Sequence, residues 1–136
     1  MTQSADNRKP VLLIVEDEPI LQMIITEILD GLGYELIVVE SGEAAWDKLQ
    51  AEPRLIDAVL LDKMMPGIDG IEVLRRIKQH EQLKGLPVIL QTAACSPEQI
   101  AEGLFEGAFY YLTKPFKPEV LRALVANALR DNSLRS

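Results

Sequence analysis

The 136-residue chain has a single cysteine, Cys95, so no intrachain disulfide can form. It has no apolar run long enough to span a bilayer, and no secretory leader pattern opens it. Positive charge is short as well: 14 Lys and Arg stand against 21 Asp and Glu, a net charge of −7. That deficit argues against unaided binding to nucleic acid or to an anionic membrane. What remains is the expectation of a soluble cytoplasmic protein with no direct nucleic-acid or membrane contact.

With 48% hydrophobic residues, the chain holds enough apolar material for one core and little for a second. Residues 1–9 are polar and aperiodic and read as a loose N-terminal tail; 10–130 read as one domain and 131–136 as a C-terminal tail. Within the domain, strand-type and helix-type signals alternate five times. Val11 to Val15, Leu36 to Val39, Ala58 to Asp62, Val88 to Gln91 and Phe109 to Leu112 are the expected strands. After the first strand, Ile20, Leu21, Ile24, Ile25, Ile28 and Leu32 recur at helical spacing, with Pro19 suited to the first turn and Gly31 or Gly33 to the end. Ser41 can cap a second helix through roughly Leu49, and Asp69-x-x-Glu72 is a capping-box pattern with Ile71, Leu74 and Ile77 inward. Ser96-Pro97-Glu98-Gln99 repeats that logic for a fourth helix, which Gly103 weakens by about 1 kcal/mol relative to alanine. Pro118 opens a fifth, with Val120, Leu121, Leu124, Val125 and Leu129 expected on its buried side.

Strands this apolar are buried on both faces, and strict alternation with helices requires right-handed crossovers. The expected fold is therefore α/β, a doubly wound five-stranded parallel sheet with five helices. In such sheets the functional crevice lies beyond the carboxyl ends of the strands. Those ends carry Glu16, Asp17 and Glu18 after the first strand, Asp62 after the third, Thr92 after the fourth and Lys114-Pro115 after the fifth. Two like charges about 4 Å apart at an effective dielectric near 20 repel by about 4 kcal/mol, so packed carboxylates need a cation or must take up protons. Oxygen ligands with no His or Cys nearby select a hard ion, best a partly hydrated Mg²⁺.

Glu16-Asp17, Asp62-x-x-Met65-Pro66-x-x-Asp69-Gly70, Thr92-Ala93, Gly107-Ala108 and Tyr111-Leu112-Thr113-Lys114-Pro115-Phe116 together resemble the receiver domain of two-component response regulators, from about Val11 to Leu129. The resemblance implies strand order 2-1-3-4-5. It implies that Asp62 takes a phosphoryl group from a histidine kinase or histidine phosphotransfer protein, with Mg²⁺ (or Mn²⁺) held by Asp17, Asp62 and the backbone carbonyl of Met64, and by Glu16 through water. Lys114, before a cis bond to Pro115, would pair with a phosphoryl oxygen. Thr92 and Tyr111 would act as switch residues rather than catalytic ones, relaying the event to the face formed by the fourth helix, fifth strand and fifth helix. That face would contact a downstream protein target or output domain, and it is also the expected surface should the chain form a homodimer.

The chain departs from the family pattern at Lys63, where an apolar residue is more usual, and at Phe109-Tyr110, which make either extra core or a contact patch. Lys63 reads as a solvated side chain whose ammonium could still reach a phosphoryl group. Met64 and Ala94 border the path of the hydrolytic water in the family; neither orients water by hydrogen bonding, so a long-lived phosphorylated state is expected. Two other classes are weaker. A haloacid-dehalogenase-type phosphatase needs a second Asp where Met64 stands, and a flavodoxin-like cofactor carrier would find its phosphate repelled by Glu16-Asp17-Glu18. A non-enzymatic signalling module is the expectation, either standing alone or as part of a larger regulator or hybrid kinase; little chain follows Leu129 for an output domain.

Overall fold

The computed structural model describes residues 8–93 and 97–132. Five strands, β1 (Val11–Val15), β2 (Glu35–Val39), β3 (Ala58–Asp62), β4 (Val88–Thr92) and β5 (Tyr110–Thr113), alternate with helices α1 (Pro19–Leu29), α2 (Gly42–Ala51), α3 (Gly70–Gln79), α4 (Pro97–Phe105) and α5 (Pro118–Asn132). The strands form one parallel sheet in the order β2-β1-β3-β4-β5. The winding reverses between β1 and β3, the place where an open α/β sheet opens a crevice.

Side chains alternate across each strand, so each strand feeds two cores. Leu12, Ile14, Ala58, Leu60 and Ile89 pack with residues of α1 and α5. Val11, Leu13, Val15, Val59, Leu61, Val88 and Leu90 pack on the opposite face with residues of α2 and α3. Both rows of the central strands are fully buried, which is why β1, β3 and β4 read as continuous apolar runs. Truncating any of these leucines to alanine would cost about 2–5 kcal/mol, a large part of a domain's stability.

The helix starts follow the expected chemistry. Ser41 Oγ accepts from the Ala44 N–H at 3.0 Å, and Asp69 Oδ1 accepts from the Glu72 N–H at 3.0 Å. The Glu72 carboxylate does not complete a reciprocal box; it pairs with Arg76 at 3.0 Å one turn on. The cap expected from Ser96 lies outside the described residues. Gly70, the first residue of α3, sits hard against the strand end: a Cβ there would lie 2.5 Å from the Asp62 carbonyl oxygen. Its N–H donates to the Lys63 carbonyl at 3.0 Å, so the absent side chain lets α3 begin directly behind Asp62.

Three expectations are corrected. On α1 Ile25 and Leu29 are buried and Leu21 and Ile28 pack against the same core, while Ile20 (73% exposed), Met23 and Ile24 face outward. On α5 Val120 is exposed, and Ala128 joins Leu121, Val125 and Leu129 inside. That helix continues through Asp131 and Asn132, two residues into the expected tail. At the other end, residues 1–7 lie outside the described part, and Arg8 is anchored to Asp57 at 3.2 Å. The aromatic string is half-buried and splits between the cores, Phe109 and Tyr110 on the α1/α5 side and Tyr111 on the other.

Candidate functional site

Asp62 closes β3 with 3% of its surface exposed, and its carboxylate looks into the crevice at the sheet's carboxyl edge. The Met64 N–H donates to Asp62 Oδ1 at 3.3 Å, which holds the carboxylate against the following loop. Lys114 Nζ, from the loop after β5, stands 3.6 Å from Asp62 Oδ2 and 3.9 Å from Glu16 Oε1. The Lys114–Pro115 peptide is cis. Glu16, directly after β1, is fully buried. One of its oxygens accepts from Gln91 Nε2 at 3.1 Å and the other from the Glu18 N–H at 3.2 Å. Glu16, Asp17 and Asp62 each present a carboxylate oxygen, all within 4.8 Å of one another.

This packing has an electrostatic consequence. Burial pushes the Glu16 carboxyl up from 4.5 to about 7; the Glu18 N–H opposes the rise, and the neighbouring Asp62 adds to it. Burial also raises Asp62, with Lys114 working in the other direction. One ammonium against three carboxylates leaves the cluster short of positive charge, and at these separations each uncompensated pair is worth a few kcal/mol. An all-oxygen set, with Glu16 and Asp62 buried, Asp17 partly so, and too little positive charge beside it, fits a hard divalent cation.

The other expected residues lie on the reverse side of the same edge. Thr92 ends β4 and is buried, and Tyr111 is half-buried against the α2/α3-side core. Lys63 is not solvated, a correction to the expectation. Its N–H continues the ladder to the Gln91 carbonyl at 2.8 Å, and its side chain is only 12% exposed, with Nζ 3.1 Å from Glu102 of α4. Burial alone would lower the Lys63 pKa; hydrogen bonds to Glu102 and Tyr111 outweigh it and leave the ammonium firmly charged. The Met64 side chain is 69% exposed at the crevice mouth, and Ala94 lies outside the described residues.

Two participants escaped the sequence reading. Glu102 gave no signal, since its partner is 39 residues away. Gln91 did leave one: it is the polar residue in the apolar run of β4, and it is fully buried.

Similarity to known proteins runs in the same direction. The response regulator receiver domain pattern matches residues 12–126. The phosphate regulon transcriptional regulatory protein PhoB of Rhizobium meliloti is 37% identical over 121 residues, covering 89% of this chain and 52% of its own length. The DNA-binding response regulator MtrA of Mycolicibacterium smegmatis is 36% identical over 128 residues, covering 93% and 54%. This chain thus spans about half the length of those curated relatives. Among solved structures, the chemotaxis response regulator CheY4 of Vibrio cholerae aligns with a TM-score of 0.81 at 30% identity, over 90% of this chain and 100% of that one. A response regulator receiver domain protein of Clostridium thermocellum aligns with a TM-score of 0.84 at 27% identity, over 93% and 99%.

Proposed function

The chain belongs to the response regulator receiver domain family, and from that premise we propose that Asp62 accepts a phosphoryl group from a phosphohistidine of a kinase or phosphotransfer protein. The observation that carries this reading is a buried nucleophilic carboxylate with an ammonium 3.6 Å away and two further carboxylates beside it. In the step, an Asp62 oxygen forms a bond to phosphorus as the bond from phosphorus to the donor imidazole nitrogen breaks, and the departing imidazole takes up a proton. Lys114 then has a phosphoryl oxygen to pair with in place of the bare carboxylate. Glu16, Asp17, Asp62 and the Met64 carbonyl would hold a divalent cation, Mg²⁺ or Mn²⁺, which when bound offsets the charge between nucleophile and phosphoryl oxygens.

The outward face of α1 supports a protein donor. Ile20, Met23 and Ile24 are exposed, and a groove of about 510 Å³ runs from Leu21, Ile24 and Ile28 to Phe116 with Lys114 at its edge. A partner seated there would reach the crevice. The net charge of −7 favours such protein contacts over direct contact with nucleic acid. The readout belongs to α4, β5 and α5, where Leu104 and Val120 are exposed apolar residues; it serves a separate target, an output domain of the same polypeptide or a second copy of the chain. Thr92 and Tyr111 relay the event to that face. The module acts in the cytoplasm as an acceptor rather than as an enzyme, Met64 standing where a phosphatase of this chemistry needs an acid.

Incubation with acetyl phosphate and Mg²⁺ should add one phosphoryl group by intact-mass measurement, lost with EDTA and in Asp62→Asn. Equal labelling of the Asn variant would overturn the assignment.

A further inference from the structure

Gln91 is an expensive residue for its place. The strand around it is apolar and fully buried, and Gln91 is buried with it. Its Nε2 donates to Glu16 Oε1 at 3.1 Å, but its Oε1 has no hydrogen-bond partner among the described residues. An orphaned buried amide oxygen carries a desolvation cost with no bond to offset it, which an apolar residue there would avoid. With Glu16 ionised, as a cation requires it, the amide gains nothing by turning over. Its oxygen would then meet the Glu16 carboxylate, which when ionised only accepts.

The bond that Gln91 does make falls on a consequential atom. Glu16 is pinned at both oxygens, one by Gln91 and the other by the Glu18 N–H. Without the Gln91 amide, Oε1 would be left with Lys114 at 3.9 Å as its cationic neighbour, and the carboxylate could swing toward the ammonium and away from Asp17 and Asp62. Gln91 also pairs in register with Asp62 across β3 and β4, so its side chain leaves the sheet beside the acidic cluster. Oriented partners of this kind set metal affinity in other centres.

We propose that Gln91 is a positioning residue of the cation site: it holds Glu16 in the orientation that serves a hydrated divalent cation and keeps Oε1 as an acceptor for a donor that the protein does not itself supply. The water shell of such an ion is a donor of the right kind. The inference rests on the acceptor reading above, in which this cluster holds a divalent cation.

The test uses the full chain stripped of metal, with Mn²⁺ alone as the probe, followed by electron paramagnetic resonance. Gln91→Met keeps the side chain unbranched and of similar length but removes both amide atoms. It should weaken Mn²⁺ binding by roughly tenfold or more, within the range seen for outer partners of metal ligands. In the Glu16→Gln background the same change should have little further effect, because Gln91 acts through Glu16. An equal loss in both backgrounds would mark a merely structural role and overturn the proposal, as would binding by Gln91→Met within twofold of the unaltered protein. A measurement on the unaltered protein needs no variant to fold: Mg²⁺ titration should shift the Gln91 side-chain amide resonances along the same isotherm as the backbone of Asp62, and an unmoved amide overturns the idea. Absence of Mn²⁺ binding by the unaltered protein would instead remove the acceptor reading and this inference with it.

Discussion

The carboxyl edge of the sheet has two sides that share the same strand ends and differ in almost everything else. On the α1/α5 side stand Glu16, Asp62, Gln91 and Lys114, buried or nearly so and crowded with negative charge. On the α2/α3 side stand Lys63, Thr92 and Tyr111, each one residue or one strand away, joined to α4 through the Lys63–Glu102 pair. Alternation along a strand makes this partition: Asp62 and Lys63 are consecutive, as are Gln91 and Thr92, so the acidic cluster and the Thr92–Tyr111 face lie back to back across one layer of backbone. A register slip of one residue would exchange them, and the apolar rows beneath forbid it. The difference teaches that, under the proposed acceptor role, a charge event at Asp62 would need to pass only through one layer of sheet to reach Thr92 and Tyr111.

The strain of the crevice side should be visible first. Glu16 has a folded-state pKa raised to about 7 from 4.5. Between those values the folded protein keeps a proton that the unfolded chain has released, so stability of the metal-free protein should fall as pH rises through that window and level off above it. The full effect is at most on the order of 3 kcal/mol. Thermal melts in EDTA from pH 4.5 to 8 would check it, and a flat profile would remove the contrast between the two sides.

Coupling across the layer comes next. Thr92→Ala should still accept a phosphoryl group while losing most of the phosphorylation-dependent change in partner affinity, about 1–3 kcal/mol by calorimetry. An unchanged affinity ratio would place the relay elsewhere.

The mouth of the crevice should give an effect of several-fold. Met64 is exposed and cannot orient water, so Met64→Asn should speed loss of the phosphoryl group at fixed Mg²⁺. Decay of the unaltered protein faster than both Met64→Asn and Lys63→Ala would contradict the apolar shield.

Smallest is the link on the readout side. Glu102 is half exposed, so its pair with Lys63 is worth under about 1 kcal/mol, and Glu102→Gln should shift the rate of acetyl-phosphate labelling by no more than about fivefold, less at high salt. A larger, salt-independent shift would show that Lys63 belongs with the crevice chemistry instead.

Much of this was legible in the chain, for reasons that also explain what was not. Continuous apolar runs marked the strands, and Ser41 and Asp69 marked helix starts that the structure places at the next residue. The inward face of α1 was not legible, because Ile20, Leu21, Met23, Ile24, Ile25, Ile28 and Leu29 surround the helix and give periodicity no polar side to exclude. Ile25 and Leu29 face in because the α5 residues Leu121 and Val125 meet them, which is a tertiary fact. Lys63 failed for a similar reason: a charged residue in a Pro/Gly-rich loop looks solvated until a distant helix supplies its carboxylate.

Glu16 and Gln91, bonded side chain to side chain, are 75 residues apart in sequence, and neither β1 nor β4 touches the other in the sheet order. They meet only after β3 has been laid between them. The Glu16–Gln91 pair therefore exists only when β1, β3 and β4 stand side by side, and no fragment lacking β4 can contain it. An ion held by Glu16, Asp17 and Asp62 would act as a clamp between β1 and β3, raising stability by mass action. An intact Glu16–Gln91 bond would report, in one signal, that the three central strands are all in place.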